Sequence, residues 1–420
     1  MKIMKIGLFS DSYYPSTNGI AVVIDILHDN LVKLGHEVVI IAPRPGLRSK
    51  HGPTLEGKNI IWIPAIEGLF FDEYLTSVFS PTAVVRKIER QELDVVIIFT
   101  PAQVGLLGAY IAKRNKIPLI EQYSTDLSGY ISRYPSTIIG MFALSLSAPF
   151  ALKMKLKDIA SLTKTMLSVK RTSDLKWSQD VVSRALAIMH NNTDLVIALS
   201  DKLAMQMKKD GVKTAIKVLP TGVDKIPGSK NEATNFRRKN GVKPEEKLIL
   251  YAGRLGAEKN LDLLIESFFE VASQNEHVKL MFVGDFSYKP ILEKKAQSSG
   301  FNNRIIFAGR MPRASLGSVY MAADIFAFPS LTDTQALVLN EAAHAGLPIV
   351  WCDKYLNKVA VHGKNGICAE PNVASFGKAL NELINNDEKR RKFGLRSKVE
   401  AKKFGESKMT KKLVRELEAL

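Results

Sequence analysis

Cysteine is nearly absent from this chain. Its 420 residues include two, Cys352 and Cys368, and neither has a second cysteine or a histidine at metal-ligand spacing. That excludes a disulfide framework and a cysteine-ligated metal, and buried thiols in a reducing compartment are expected. There is no short internal repeat and no low-complexity tract, which excludes solenoids and disordered arrays. A membrane span is also missing: the uncharged stretch Pro135–Leu152 carries Pro149 and several serines. The first ten residues are too short and too strand-like for a signal peptide, so a cytoplasmic protein is expected. Acidic residues are the scarcer sign, 42 against 59 Lys and Arg, for a net charge of +17. That excess implies an acidic partner: nucleic acid, anionic lipid or a phosphorylated substrate. Aromatic residues are not interleaved with the cations of the basic stretches, so no nucleic acid is expected.

What is present describes an ordinary globular protein, with 46% hydrophobic residues and a mean hydropathy of −0.01. The length exceeds one compact core and predicts two domains. Met4–Phe9, Ile20–Leu34 and Glu37–Ala42 read as strand, helix and strand around a glycine-containing loop. The alternation recurs at Val95–Phe99, Gln103–Arg114 and Pro118–Gln122. A second series starts near Val218 and runs from Leu248–Ala252 to Ile349–Trp351. The fold class is therefore α/β, with a doubly wound sheet in each half.

The segment Tyr134–Asn192 breaks the pattern. Over Ala151–Asp180 seven cations meet three acids. An apolar run beside a lysine-rich helix suits an element lying on anionic lipid, and equally suits a core helix followed by a solvated one. The tail 389–412 is again helical and basic.

Two runs carry chemistry. In Ser330–Pro348 a carboxylate, Asp333, precedes Glu341 by seven intervening residues at the mouth of an apolar helix. Such a strand–loop–helix pocket offers carboxylates to hydroxyls and a helix N-terminus to phosphate. In Tyr251–Asp262 glycines flank Arg254 and precede Lys259, which put two cations at a strand–helix turn.

Together these runs resemble the retaining glycosyltransferases of family 4. Supporting matches are Asp11–Gly19, Thr193–Ser200, Leu219–Asp224, Val283–Asp285, Phe307–Arg310 and Ala345–Pro348. The first loop and the Thr-Gln after Asp333 are most similar to the branch that glucosylates diacylglycerol and similar lipids. The resemblance implies two facing Rossmann-like domains, the GT-B arrangement, with a deep interdomain cleft. The expected boundaries are 1–196 (with a basic helical insert at about 135–190), 197–388, and a C-terminal helix 389–420 packing back on the first domain.

The resemblance also implies roles. Asp333, Ser124, Lys259 and Arg254 form the catalytic set. Arg254 and Lys259 would neutralise the leaving diphosphate. Gly19, Arg310, Met311, Ala336, Leu337, Val338 and Glu341 would complete the donor site, with Glu341 on the ribose and Arg310 and Met311 near the base. Tyr123, Thr125 and Asp126 would lie on the acceptor and sugar side. No metal and no cofactor are implied; a UDP- or GDP-sugar is the donor substrate. The partners implied are that nucleotide-sugar and an anionic membrane surface met through 151–180 and 389–412, with a peripheral place on its inner face.

Three positions depart from the family pattern. Asp333 replaces glutamate, Ala336 replaces glycine, and Ser124 replaces a histidine. They leave open a catalytically weakened or inactive homologue that binds a nucleotide-sugar or a membrane. A nucleotide-sugar epimerase shares the architecture. A dinucleotide oxidoreductase is disfavoured, because neither strand–helix turn reads Gly-x-Gly-x-x-Gly.

Overall fold

The computed structural model describes residues 2–14, 18–45, 55–67, 75–77, 80–100, 102–124, 146–167, 175–356 and 358–420. Thr125 and Asp126 lie outside them. The chain divides into two compact units: Met1–Thr221 with Met409–Leu420, and Gly222–Lys408.

The first unit is built on an eight-stranded sheet. Its strands are β1 (Lys5–Phe9), β2 (Glu37–Pro45), β3 (Asn59–Glu67), β4 (Leu75–Thr76), β5 (Val95–Ile98), β6 (Leu119–Tyr123), β7 (Leu195–Ala198) and β8 (Ile216–Val218). They lie in the order β4-β3-β2-β1-β5-β6-β7-β8 and are parallel except for the β3–β4 pair. The second unit has β9 (Lys247–Ala252), β10 (Val278–Val283), β11 (Ile305–Gly309), β12 (Ile325–Phe328), β13 (Ile349–Trp351) and β14 (Gly366–Cys368). All six are parallel, in the order β11-β10-β9-β12-β13-β14. Central strands covered on both faces read as continuous apolar runs, as Val95–Ile98 and Leu248–Ala252 do.

The expected boundary at 196/197 shifts. The strand β7 and the strand β8 after it still pair within the first sheet, so the first unit runs to Thr221. The C-terminal segment also divides. The helix Asp387–Ala401 stays with the second unit, and only Met409–Leu420 returns to the first. There Glu418 accepts from the Lys2 amide at 3.1 Å and Glu416 pairs with Lys217 at 3.0 Å.

In each sheet the strand order reverses once, between β1 and β5 and between β9 and β12. Ligands of open parallel sheets bind outside the carboxyl ends of the strands at such a reversal. In the first unit Asp11 fills that position. Its carboxylate accepts from the amides of Val104 (2.7 Å) and Gly105 (3.2 Å) and from the Thr100 hydroxyl (2.6 Å). It thereby caps the helix Gln103–Asn115 across the sheet. Gly105 allows this approach, since a Cβ there would lie 1.8 Å from the Thr100 carbonyl oxygen. Replacing Asp11 with Ala would orphan two amides and a hydroxyl in the interior. We expect a loss of about 3 kcal/mol of stability, read from the urea midpoint at unchanged slope.

Candidate active site

At the reversal of the second sheet the two runs singled out in the sequence come together. Lys259 ends the short 3-10 turn Ala257–Lys259 after β9, and Asp333 lies in the loop after β12. Lys259 Nζ donates to Asp333 Oδ1 at 2.7 Å. Two more hydrogen bonds join the same loops: the Thr332 hydroxyl donates to the Glu258 carbonyl at 2.9 Å, and Asn260 Nδ2 to the Pro329 carbonyl at 3.3 Å. Burial raises the Asp333 pKa, but the charge of Lys259 and hydrogen bonds from Lys259 and Ser330 outweigh it, so the carboxyl titrates below its usual range. Asp333 Oδ2 is buried and has no hydrogen-bond partner among the described residues.

Arg254 is held from several sides. Its Nη2 donates to Glu258 at 2.6 Å, where the acid's side chain is 1% exposed. Its guanidinium lies 4.8 Å from the centre of the Phe286 ring. Its carbonyl accepts from the buried Tyr251 hydroxyl at 3.0 Å. The loops after β9 and β10 interlock through Leu255 N–H to Asp285 O and Tyr288 N–H to Leu255 O. That requires glycine at 284, where φ is +140° and a Cβ would meet Gly253 O at 1.8 Å.

The helix Leu337–Ala345 starts at Ala336, and no side chain caps it. Its first amides, including those of Leu337 and Val338, are therefore of the kind that suits an anion. Ala336 itself takes φ +56° and ψ 77°. The position does require the left-handed region, and alanine is strained there. Glu341, in the second turn, is buried. Its Oε1 accepts from Arg313 and its Oε2 from Tyr320, both at 2.7 Å. Arg310 and Met311 follow β11, on the same carboxyl edge of the sheet, with Arg310 exposed and Met311 half-buried.

The first-unit residues fare differently. Gly19 opens the helix Gly19–Lys33, is exposed, and has open space where a Cβ would stand. Asn18 caps that helix through Ile20 and Ala21. Ser124 follows β6 and donates to the Gln122 carbonyl at 3.1 Å. Tyr123, expected on the sugar side, is largely buried within the first unit. Its side chain is 5% exposed and packs edge-on against His190, which is itself paired with buried Glu121 at 2.7 Å. Strand alternation explains this: a one-residue step from Ser124 turns the ring into the core. Among the described residues, no group of three His, Cys, Asp or Glu side chains could hold a metal ion.

Glu258, Phe286, Arg313 and Tyr320 were not picked out from the sequence. Glu258 stands four residues after Arg254, a spacing that could have suggested the pair. Phe286 comes from the turn after β10, and Arg313 and Tyr320 from the turn and helix after β11, with no local signal.

Comparison with known proteins decides the family. A profile described as Glycosyltransferase Family 4 matches residues 17–225, and one described as Glycosyl transferases group 1 matches residues 232–399. The chain belongs to the family 4 glycosyltransferases. The enzyme is 28% identical over 382 residues to the alpha-monoglucosyldiacylglycerol synthase of Acholeplasma laidlawii, covering 87% of this chain and 84% of that one. It is 27% identical over 362 residues to the synthase of that name from Streptococcus pneumoniae, covering 85% and 73%. Among solved structures, Anabaena Alr3699/HepE in complex with UDP-glucose superposes with a TM-score of 0.72 at 16% identity, covering 99% of this chain and all of that one. WaaG, a glycosyltransferase involved in lipopolysaccharide biosynthesis, superposes with a TM-score of 0.65 at 16% identity, covering 97% and 98%. At these identities the likeness is one of fold: two parallel-sheet α/β domains of the GT-B kind.

Two outcomes follow from this geometry. Ala336→Gly should raise the enzyme's stability by about 1 kcal/mol, the left-handed strain less the glycine's unfolded entropy, read as a higher urea midpoint. Lys259→Ala should lower stability by roughly 2–3 kcal/mol at pH 7, because Asp333 is left charged and unpaired. Since Lys259 depresses the Asp333 pKa, that stabilisation exists above the unfolded value and is lost on acidification. The gap between variant and wild type should therefore shrink as pH falls below about 4, in denaturation series at several pH values.

Proposed function

We propose that the enzyme moves a hexose from a UDP- or GDP-sugar to a lipid or glycolipid hydroxyl at an anionic membrane surface, with retention of anomeric configuration. The donor half rests on one observation: the Lys259–Asp333 pair at the second sheet's reversal, whose buried Asp333 Oδ2 lacks a partner among the described residues. A sugar hydroxyl is a donor that would satisfy that oxygen. Arg254 and Lys259 would neutralise the diphosphate as its bond to the anomeric carbon breaks and the bond to the acceptor oxygen forms. The amides of Leu337 and Val338 would add the field of the helix terminus. Ser124, on the first unit, keeps the hydrogen-bonding but not the charge of the histidine it replaces.

The acceptor half draws on the two diacylglycerol-named relatives and on one surface of the first unit. Three large apolar side chains stand in water within eleven residues: Leu146 (84% exposed), Phe150 (76%) and Leu156 (86%). Exposed Lys153, Lys155 and Lys157 follow Phe150 and flank Leu156. Apolar side chains flanked by cations are what an anionic bilayer surface rewards, each cation adding about 1 kcal/mol. No described helix is long and apolar enough to cross a membrane. The other basic stretches contribute less to this reading. The helix Leu175–His190 packs into the core through Val181, Val182, Ala185, Leu186 and Met189. In the tail, Arg390 is buried and donates to the Leu383 and Ile384 carbonyls.

Release of UDP or GDP from UDP-glucose or a GDP-sugar, measured with vesicles holding diacylglycerol and an anionic phospholipid, tests the reading. Turnover should depend on the lipid and fall about 100-fold or more in Lys259→Ala. In co-sedimentation with the same vesicles, Phe150→Ser with Leu156→Ser should weaken binding about tenfold or more, and high salt should weaken the wild type. Lipid-independent turnover, or unaltered sedimentation of the double variant, would sink the acceptor half. Undiminished turnover in Lys259→Ala would sink the donor half.

A further inference from the structure

The site contains three cation–acid pairs, and the third has not been given a purpose. Arg254 pairs with Glu258, and Lys259 with Asp333. Arg313 pairs with Glu341, yet it lies on neither loop of the reversal. It opens the short 3-10 turn Arg313–Ser315, just after Arg310 and Met311.

The partners of Glu341 differ in kind. Tyr320 is 1% exposed, packed edge-on against Phe326 in the core. Burial and the nearby Glu341 push its phenol well above the usual range, so it stays a hydrogen donor. Arg313 keeps a side chain 39% exposed. Glu341 is 3% exposed at its side chain and has one oxygen on each partner. A carboxylate offers about four acceptor positions. Two are taken, and two are left, the number a vicinal diol needs.

We propose that Arg313 is a positioning residue for the ribose of the nucleotide: with Tyr320 it fixes the orientation of the Glu341 carboxylate, and it cancels the charge of that acid beside the diphosphate. The inference rests on the reading of Glu341 as the ribose contact. The physical need is plain. A buried carboxylate without a cation would repel the diphosphate a few bonds away along the same ligand. With one hydrogen bond left, to Tyr320, it could also turn away from the diol. Arg suits the task better than Lys, because its rigid planar guanidinium presents Nη1 to Oε1 in one direction while Tyr320 holds Oε2.

Binding of UDP, GDP and their 2′-deoxy analogues to the full chain, by titration calorimetry, tests this. Wild type should bind the better of the two ribonucleotides about tenfold or more tighter than its 2′-deoxy analogue, the discrimination of a charged acceptor facing a missing hydroxyl. Arg313→Ala should weaken the analogue severalfold, through the uncancelled charge of Glu341, and the ribonucleotide about tenfold more than that, so the preference collapses. Arg313→Lys should recover part of it, and Glu341→Gln should lose it. A role limited to folding would weaken both ligands alike or neither. If Arg313→Ala keeps the full preference while Glu341→Gln loses it, the inference about Arg313 is overturned and the reading of Glu341 stands. If Glu341→Gln also keeps the preference, or the wild type has none, the reading of Glu341 falls and the inference with it.

Discussion

The ion pair between Lys259 and Asp333 joins two loops whose residues are 74 apart in sequence, across the one place where the second sheet reverses direction. Everything proposed for the donor sits around it. Bonds from Thr332 to Glu258 and from Asn260 to Pro329 hold the loops in the same register. The pair also sets the charge of the pocket. With Arg254 on Glu258 and Arg313 on Glu341, each of three cations is matched by a largely buried acid. In the proposed reading, an anionic donor would meet cations already held in position, so little would be lost in ordering them. The same acids would temper the attraction, so that a diphosphate product would leave more easily than from three bare cations.

The two units show how little a fold alone decides. Both sheets reverse once, and both reversals place loops and a helix start at the carboxyl edge. In the first unit Asp11 occupies the spot, with bonds to Thr100, Val104 and Gly105. An anion there would meet a carboxylate already bound to the amides. In the second unit the helix start at Ala336 has no capping side chain, and the acids lie back against cations. A single side chain thus separates a structural corner from the proposed binding corner built on the same topology.

The sequence was most readable where physics is local. Strands buried on both faces advertise themselves as unbroken apolar runs, and Met4–Phe9 and Leu248–Ala252 lie within a residue of the observed β1 and β9. The demand for positive φ at Ala336 was foreseeable, because a glycine pattern marks a backbone need. What depends on strand order was hidden. The expected boundary at 196/197 falls inside the first unit, because β7 and β8 extend the first sheet and pairing is a long-range choice. Tyr123 sits in a run of promising polar residues and still turns inward to His190. Arg313 and Tyr320 converge on Glu341 from 28 and 21 residues away, with no periodicity to announce them.

Ala336 ties the strained and the functional ends of the pocket together. Its left-handed backbone sets the direction in which the amides of Leu337 and Val338 enter the helix. Glycine would adopt that conformation freely and would also leave it freely. Alanine has fewer alternatives, so once the fold has imposed the turn, the first amides of the helix are held more narrowly. Strain of this size survives only where the surroundings over-determine the backbone. Here the surroundings are Asp333 locked to Lys259 on one side and Glu341 locked to Arg313 and Tyr320 on the other. The cost at one residue thus falls between two fixed carboxylates, where the proposed reaction needs its phosphate-binding amides to stay still while the sugar leaves.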